Sequence, residues 1–113
     1  MRLLVSVRSV DEALLAARGG ADFIDLKEPA RGALGGLPPA TLRGIVAGLQ
    51  QHGITLPVSA TIGDLGMEAL DEICMRVDAV AACGVDIVKV GIERAPAARA
   101  VLDVLARCGH PVI

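Results

Sequence analysis

Gly20-Ala21-Asp22-Phe23-Ile24-Asp25 recurs further along the chain as Gly84-Val85-Asp86-Ile87-Val88-Lys89. In each copy a glycine closes a helical pattern, an aspartate turns the chain, and an apolar run opens a strand. The recurrence is compatible with duplication of a strand–helix unit and equally with two convergent turns. Working outward, Leu3–Val7 reads as the strand before the first copy. Ser9 and Glu12 have capping-box spacing for a helix running to Arg18, which Gly19-Gly20 stops. Ala21–Lys27 is the second strand, and a glycine- and proline-bearing loop, 28–39, leads to a helix over 40–51. Gly53 ends that helix, Leu56–Thr61 is the third strand, and a helix follows over 67–83. Val85–Val90 is the fourth strand. A helix opens at Pro96, a residue favoured in the first turn, and stops at Gly109. Pro111-Val112-Ile113 opens a fifth strand. Alternation of apolar strands with helices implies an α/β fold with a parallel sheet under helices. The expectation is one domain over 1–113 forming the first half of a TIM (β/α)8 barrel, stopping at the start of strand five.

Within strands, side chains alternate faces, so Phe23, Asp25 and Lys27 share one face of the second strand, opposite Ile24 and Leu26, and Ile87 and Lys89 share one face of the fourth, opposite Val88 and Val90. The repeat aligns Asp25 with Lys89. Alternate strands of a (β/α)8 barrel contribute to the same interior layer, and chemistry gathers at the C-terminal strand ends. The chain has only these two lysines against nine arginines, and both stand at such ends. Desolvation and a neighbouring cation lower a lysine's pKa and prepare it to attack a carbonyl as a Schiff-base nucleophile. The alternative role is to cap the sheet by pairing with Asp25 or Glu28. Asp25 can hold an ammonium in place or relay a proton. Asp64, in the loop after strand three, is a catalytic candidate or a turn residue. The glycine-rich stretch 32–36 matches neither a P-loop nor a dinucleotide fingerprint. Its amides could cradle a phosphate, or the segment could be a plain loop.

Composition narrows the function classes. Of 113 residues, 53% are hydrophobic, yet there is no Trp or Tyr and a single Phe. Aliphatic residues and glycine therefore carry the core. A net charge of −2 and the lack of stacking aromatics leave no nucleic-acid footprint. No apolar run approaches the ~20 residues needed to span a bilayer, and the N-terminal apolar run reads as a strand rather than a leader. Cys74, Cys83 and Cys108 lack metal-ligand spacing and read as buried free thiols in a reducing cytoplasm. His52 and His110 sit beside glycines at helix ends, as helix-end cations or turn residues rather than metal ligands.

Three motifs together resemble the (5-formylfuran-3-yl)methyl phosphate synthase family of methanofuran biosynthesis. They are Asp25-Leu26-Lys27-Glu28-Pro29 with Arg31-Gly32-Ala33-Leu34-Gly35, then Val58-Ser59-Ala60-Thr61-Ile62-Gly63-Asp64, then Val88-Lys89-Val90-Gly91. The resemblance runs from Leu3 to the end of the chain. It implies a full barrel and a lyase that condenses two glyceraldehyde 3-phosphate molecules, with loss of phosphate and water. It further implies Lys27 as the Schiff-base lysine, Lys89 as a second active-site lysine, and Asp25 as their carboxylate partner. Thr61, Asp64, Gly32 and Gly35 are the expected substrate-binding set. No metal or organic cofactor is implied, since the imine acts as the electron sink. The sequence departs from the family at Ala33, where a serine is common. The family's second half carries a further Asp and Lys pair and phosphate-binding loops, so a second half-barrel or another copy of the chain is the expected partner. The rival readings are a class I aldolase-type barrel acting on another phosphorylated sugar, and a non-catalytic half-barrel assembly module.

Overall fold

In a computed structural model describing residues 1–113, four parallel strands form one sheet in the order β1-β2-β3-β4. The strands are β1 (Leu4–Val7), β2 (Phe23–Leu26), β3 (Val58–Thr61) and β4 (Ile87–Lys89). Helices α1 (Val10–Arg18), α2 (Pro39–Gln51), α3 (Leu70–Ala81) and α4 (Ala98–Leu105) alternate with them. Val112 adds an isolated parallel bridge to Val88, so the 111–113 segment begins a fifth strand beside β4. Each element falls within its predicted segment to within one residue; α1 has its predicted bounds, α2 starts one residue early, and the remaining elements are shorter than predicted. The predicted 67–83 helix starts at Leu70 because a turn closed by Ala69 N–H to the Gly66 carbonyl precedes it. The helix expected from Pro96 starts at Ala98 after a comparable turn from Ala98 N–H to the Ala95 carbonyl.

Strand parity separates the two faces of the sheet. Val7, Ile24, Leu26, Val58, Ala60 and Val88 are buried and form the core with Leu14, Leu42, Ile45, Leu49, Ile73, Val77 and Val101 from the helices. Burying each large aliphatic side chain contributes about 1.5–3 kcal/mol, so this face anchors the sheet. The opposite parity is Leu4 and Ser6, Phe23 and Asp25, Ser59 and Thr61, Ile87 and Lys89. On it Leu4 and Ser6 are exposed and Phe23, Ile87 and Lys89 half-buried. Helices cover one face; the other is largely open.

The two copies of the glycine–aspartate repeat are anchors at the start of the strands. Gly20 and Gly84 adopt positive φ, 98° and 94°, a backbone state that side chains disfavour. Gly20 ends α1 with paired bonds from Gly20 N–H to the Ala17 carbonyl and Ala21 N–H to the Ala16 carbonyl. Asp22 then grips Leu3 from both sides. Its carboxylate accepts the Leu3 N–H at 2.7 Å, and its own N–H donates to the Leu3 carbonyl at 2.8 Å. Asp86 treats Val58 identically, at 2.8 Å and 2.8 Å.

Ser9 caps α1, accepting the Glu12 N–H at 3.2 Å. The predicted reciprocal bond is displaced by one residue. The Glu12 carboxylate accepts the Arg8 N–H at 3.1 Å rather than that of Ser9, because Arg8 also places its guanidinium beside Glu12. Among the cysteines, only Cys83 is buried, donating to the Ala79 carbonyl, while Cys74 and Cys108 are half-exposed free thiols. Cys74 of α3 and Cys108, just past the end of α4, line the cleft between these two helices. His52 bonds the Gly48 carbonyl at the end of α2, and His110 pairs with Asp78 of α3 at 2.9 Å.

Candidate active site

The open face carries one row of polar side chains. Ser6, Asp25 and Ser59 lie directly across from one another on β1, β2 and β3, and the next position along the row is Ile87. Lys89 pairs with Thr61, two residues further up. The repeat nevertheless equates Asp25 with Lys89, so hydrogen-bond register and repeat disagree by two residues across two strand steps. An offset of one residue per strand is the stagger that closes eight strands with a shear of eight. It brings Lys89 to the level of Asp25.

Asp25 is the hub. It is 1% exposed, and three donors from three different strands converge on its carboxylate. Ser59 Oγ donates to Oδ1 at 2.7 Å, Ser6 Oγ donates to Oδ2 at 3.1 Å, and Lys89 Nζ donates to Oδ2 at 3.0 Å. Bonds to a charged acceptor are about twice as strong as neutral ones, and together they compensate the desolvation of the carboxylate. Both oxygens already accept, so the carboxylate holds the Lys89 ammonium in place. Lys89 remains 30% exposed and reaches down to Asp25 from the strand end.

Lys27 behaves differently. It continues β2 beyond Asp25, its N–H donates to the Val7 carbonyl, and its ammonium donates only to the Ala33 carbonyl, at 3.3 Å. The expected arrangement with Asp25 between two lysines is therefore corrected: Asp25 pairs with Lys89 alone. Glu28, the other anticipated partner, points to Arg8 at 3.5 Å and to the Ala30 N–H. Two residues apart, Asp25 and Lys27 share a face, but the lysine leaves the strand toward the 28–38 loop.

That loop is tightly closed. Pro29–Arg31 forms a single 3-10 turn, and the Gly32 N–H and Gly35 N–H donate to the carbonyls of Pro29 and Gly32. Both glycine amides expected to cradle a phosphate are thus occupied within the loop. Gly32 is there for its φ of 94°, and Gly35 because any Cβ would collide with the Glu28 carbonyl. Thr61 is also internally occupied. Its buried hydroxyl donates to the Leu34 carbonyl at 3.0 Å and accepts the Gly63 N–H at 3.2 Å, so it braces the loop instead of facing a ligand. Asp64 is exposed and joins neither lysine nor Asp25. Ser6 and Ser59 escaped the sequence reading. Their signal was a serine inside each of two apolar strands, Leu-Val-Ser-Val and Val-Ser-Ala-Thr, at the parity of Asp25.

The rest of the open face is apolar. A cavity of about 340 Å³ lies below Lys89, bordered by Arg2, Leu4, Phe23, Ser59, Ile87 and Ile113. No helix of the structure is long and apolar enough to cross a membrane.

The pattern of the family described as 4-HFC-P synthase matches residues 3–112. The chain belongs to this family. The (5-formylfuran-3-yl)methyl phosphate synthase of Methanopyrus kandleri is 39% identical over 111 residues, covering 98% of this chain and 45% of the relative. That of Methanosarcina mazei is 35% identical over 112 residues, covering 99% and 46%. A Methylorubrum extorquens protein, provisionally given the same name, is 52% identical over 91 residues, covering 80% and 36%. The chain therefore spans less than half the length of these 4-HFC-P synthase relatives. Among solved structures, 2,3-dimethylmalate lyase of the PEP mutase/isocitrate lyase superfamily superposes with a TM-score of 0.72 at 18% identity. It covers 98% of this chain and 43% of that one. At that identity the likeness concerns the fold: this 4-HFC-P synthase family chain is a half-barrel.

Proposed function

We propose that this half-barrel supplies the Schiff-base lysine of a (5-formylfuran-3-yl)methyl phosphate synthase. The observation that carries the reading is the unequal state of the two lysines. Lys89 is tied to a buried carboxylate, while Lys27 is held by one peptide carbonyl, a contact that a substrate carbonyl can displace. Lys27 attacks the aldehyde of one glyceraldehyde 3-phosphate, water leaves, and the iminium acidifies the adjacent C–H bond, whose proton passes to water while its electron pair forms the enamine. The resulting enamine adds to the aldehyde of the second triose phosphate, elimination of phosphate and water closes the furan, and hydrolysis of the imine releases the furan aldehyde and returns Lys27 as the free amine. Lys89, fixed by Asp25, supplies a positive charge at the mouth where phosphate or developing oxyanion charge is stabilised. Thr61, Gly32 and Gly35 act by shaping the 28–38 loop over Lys27, and Asp64 faces the solvent side of the mouth.

A second half-barrel completes the site, covering the apolar face around Phe23 and Ile87, and the assembled enzyme works in the cytoplasm without a metal or organic cofactor. The test is product formation from glyceraldehyde 3-phosphate in the assembled protein, followed by absorbance of the furan aldehyde. Lys27→Ala abolishes the product on this reading. Furan formation that survives Lys27→Ala overturns it, and retro-aldol cleavage of a sugar phosphate with no furan assigns the site to an aldolase instead.

A further inference from the structure

Asp25 carries two hydroxyl donors besides its lysine, and they are not equivalent. Ser6 shares Oδ2 with Lys89 and is itself exposed, while Ser59 holds Oδ1 alone, is buried, and makes the shortest bond of the three. We infer that Ser59 is a positioning residue that acts on Lys89 through Asp25.

The geometry gives the reason. A carboxylate on a two-carbon side chain can turn about its last bond, and either oxygen can then face a given donor. Ser59 lies on β3 directly beside Asp25 of β2, so its hydroxyl pins Oδ1 toward β3 and leaves Oδ2 for Lys89. With one oxygen available, the ammonium binds through a single N–H and keeps its other two donors for the mouth. Without Ser59, Oδ1 is a buried anionic oxygen lacking a donor. The three-donor ammonium 3.0 Å from its neighbour is the mobile group able to satisfy it. Lys89 is then drawn down to bridge both oxygens and withdraws from the mouth. Ser6 cannot substitute, because its strand lies on the other side of β2.

This inference rests on the proposed division of labour between Lys27 and Lys89, and its test uses no substrate. The chain contains only two lysines, so limited reductive methylation with formaldehyde and cyanoborohydride, read by peptide mass spectrometry, gives a Lys89-to-Lys27 ratio with an internal control. In Ser59→Ala the ratio falls roughly fivefold, the size expected when one ordinary hydrogen bond changes hands. Ser59→Thr, which retains the hydroxyl, keeps the wild-type ratio. Circular dichroism and melting of each variant establish that it is folded. Should Ser59→Ala unfold, Ser59→Cys, with its weak donor, gives an intermediate ratio. A ratio that is unchanged or raised in the folded variant overturns the inference. A failure of Lys27 to form an imine with the triose phosphate would leave this ratio untouched, so the two readings fail separately.

Discussion

Replacing Asp25 by Asn tests the hub in a nearly isosteric way. An asparagine carbonyl facing Ser6 and Lys89 keeps both of those donors, and its amide faces Ser59, whose hydroxyl can rotate to accept. What is lost is the charge that Lys89 meets at 3.0 Å. Exposed ion pairs contribute about 0–1 kcal/mol, whereas breaking a buried one costs about 3–5 kcal/mol. With Asp25 1% exposed and Lys89 30% exposed, the pair lies between, and about 2 kcal/mol is the expected loss. Lys89→Met leaves the carboxylate with its two serines and costs a similar amount. The double variant removes both charges and recovers part of the loss, giving a coupling energy of about 1–2 kcal/mol. Without Trp or Tyr, and with one Phe, fluorescence is unsuitable; urea unfolding by far-ultraviolet circular dichroism measures all four proteins. A coupling below about 0.3 kcal/mol, within the usual additivity error, would refute the claim that Asp25 and Lys89 act as a pair.

Three further outcomes follow from local geometry. Asp86→Ala removes the carboxylate that accepts the Val58 N–H, lowering stability by about 1 kcal/mol and accelerating hydrogen exchange at Val58 but not at Leu3. Gly44→Ala on α2 meets open space and stabilises by about 1 kcal/mol in thermal unfolding, through helix propensity alone. Four residues on, Gly48→Ala puts a Cβ 2.6 Å from Val10 Cγ1, so overpacking against α1 turns the same substitution into a net loss of about 1 kcal/mol.

The fold was legible because its punctuation is local. Glycines at Gly20, Gly53 and Gly84 must take positive φ, and the aspartates of the repeat bond residues whose place in the sheet follows from strand order. Strand parity likewise placed Asp25 and Lys27 on one face, and the repeat placed Lys89 level with Asp25. The partners of those groups were less legible. Which lysine Asp25 holds depends on the stagger between strands and on where the 28–38 loop presents its carbonyls. Neither is encoded in the spacing of Asp25 and Lys27. Ser6 and Ser59 had a signal, a hydroxyl where an apolar strand needs none, but their meaning appears only when β1, β2 and β3 lie side by side. The glycine-rich loop left two readings open for a related reason. Glycine frees the backbone for ligand or for self-closure, and here Gly35 against Glu28 and Gly91 against Leu34 show self-closure.

On the function proposed above, Lys27 is the nucleophile and Lys89 its held companion. Borohydride reduction in the presence of glyceraldehyde 3-phosphate, followed by peptide mass spectrometry, tests it directly, since any covalent imine is fixed on the lysine that formed it. The expected result is a reduced triose adduct on Lys27, none on Lys89, and none on either in Lys27→Ala. A folded protein that carries the adduct on Lys89, or on neither lysine, would contradict it.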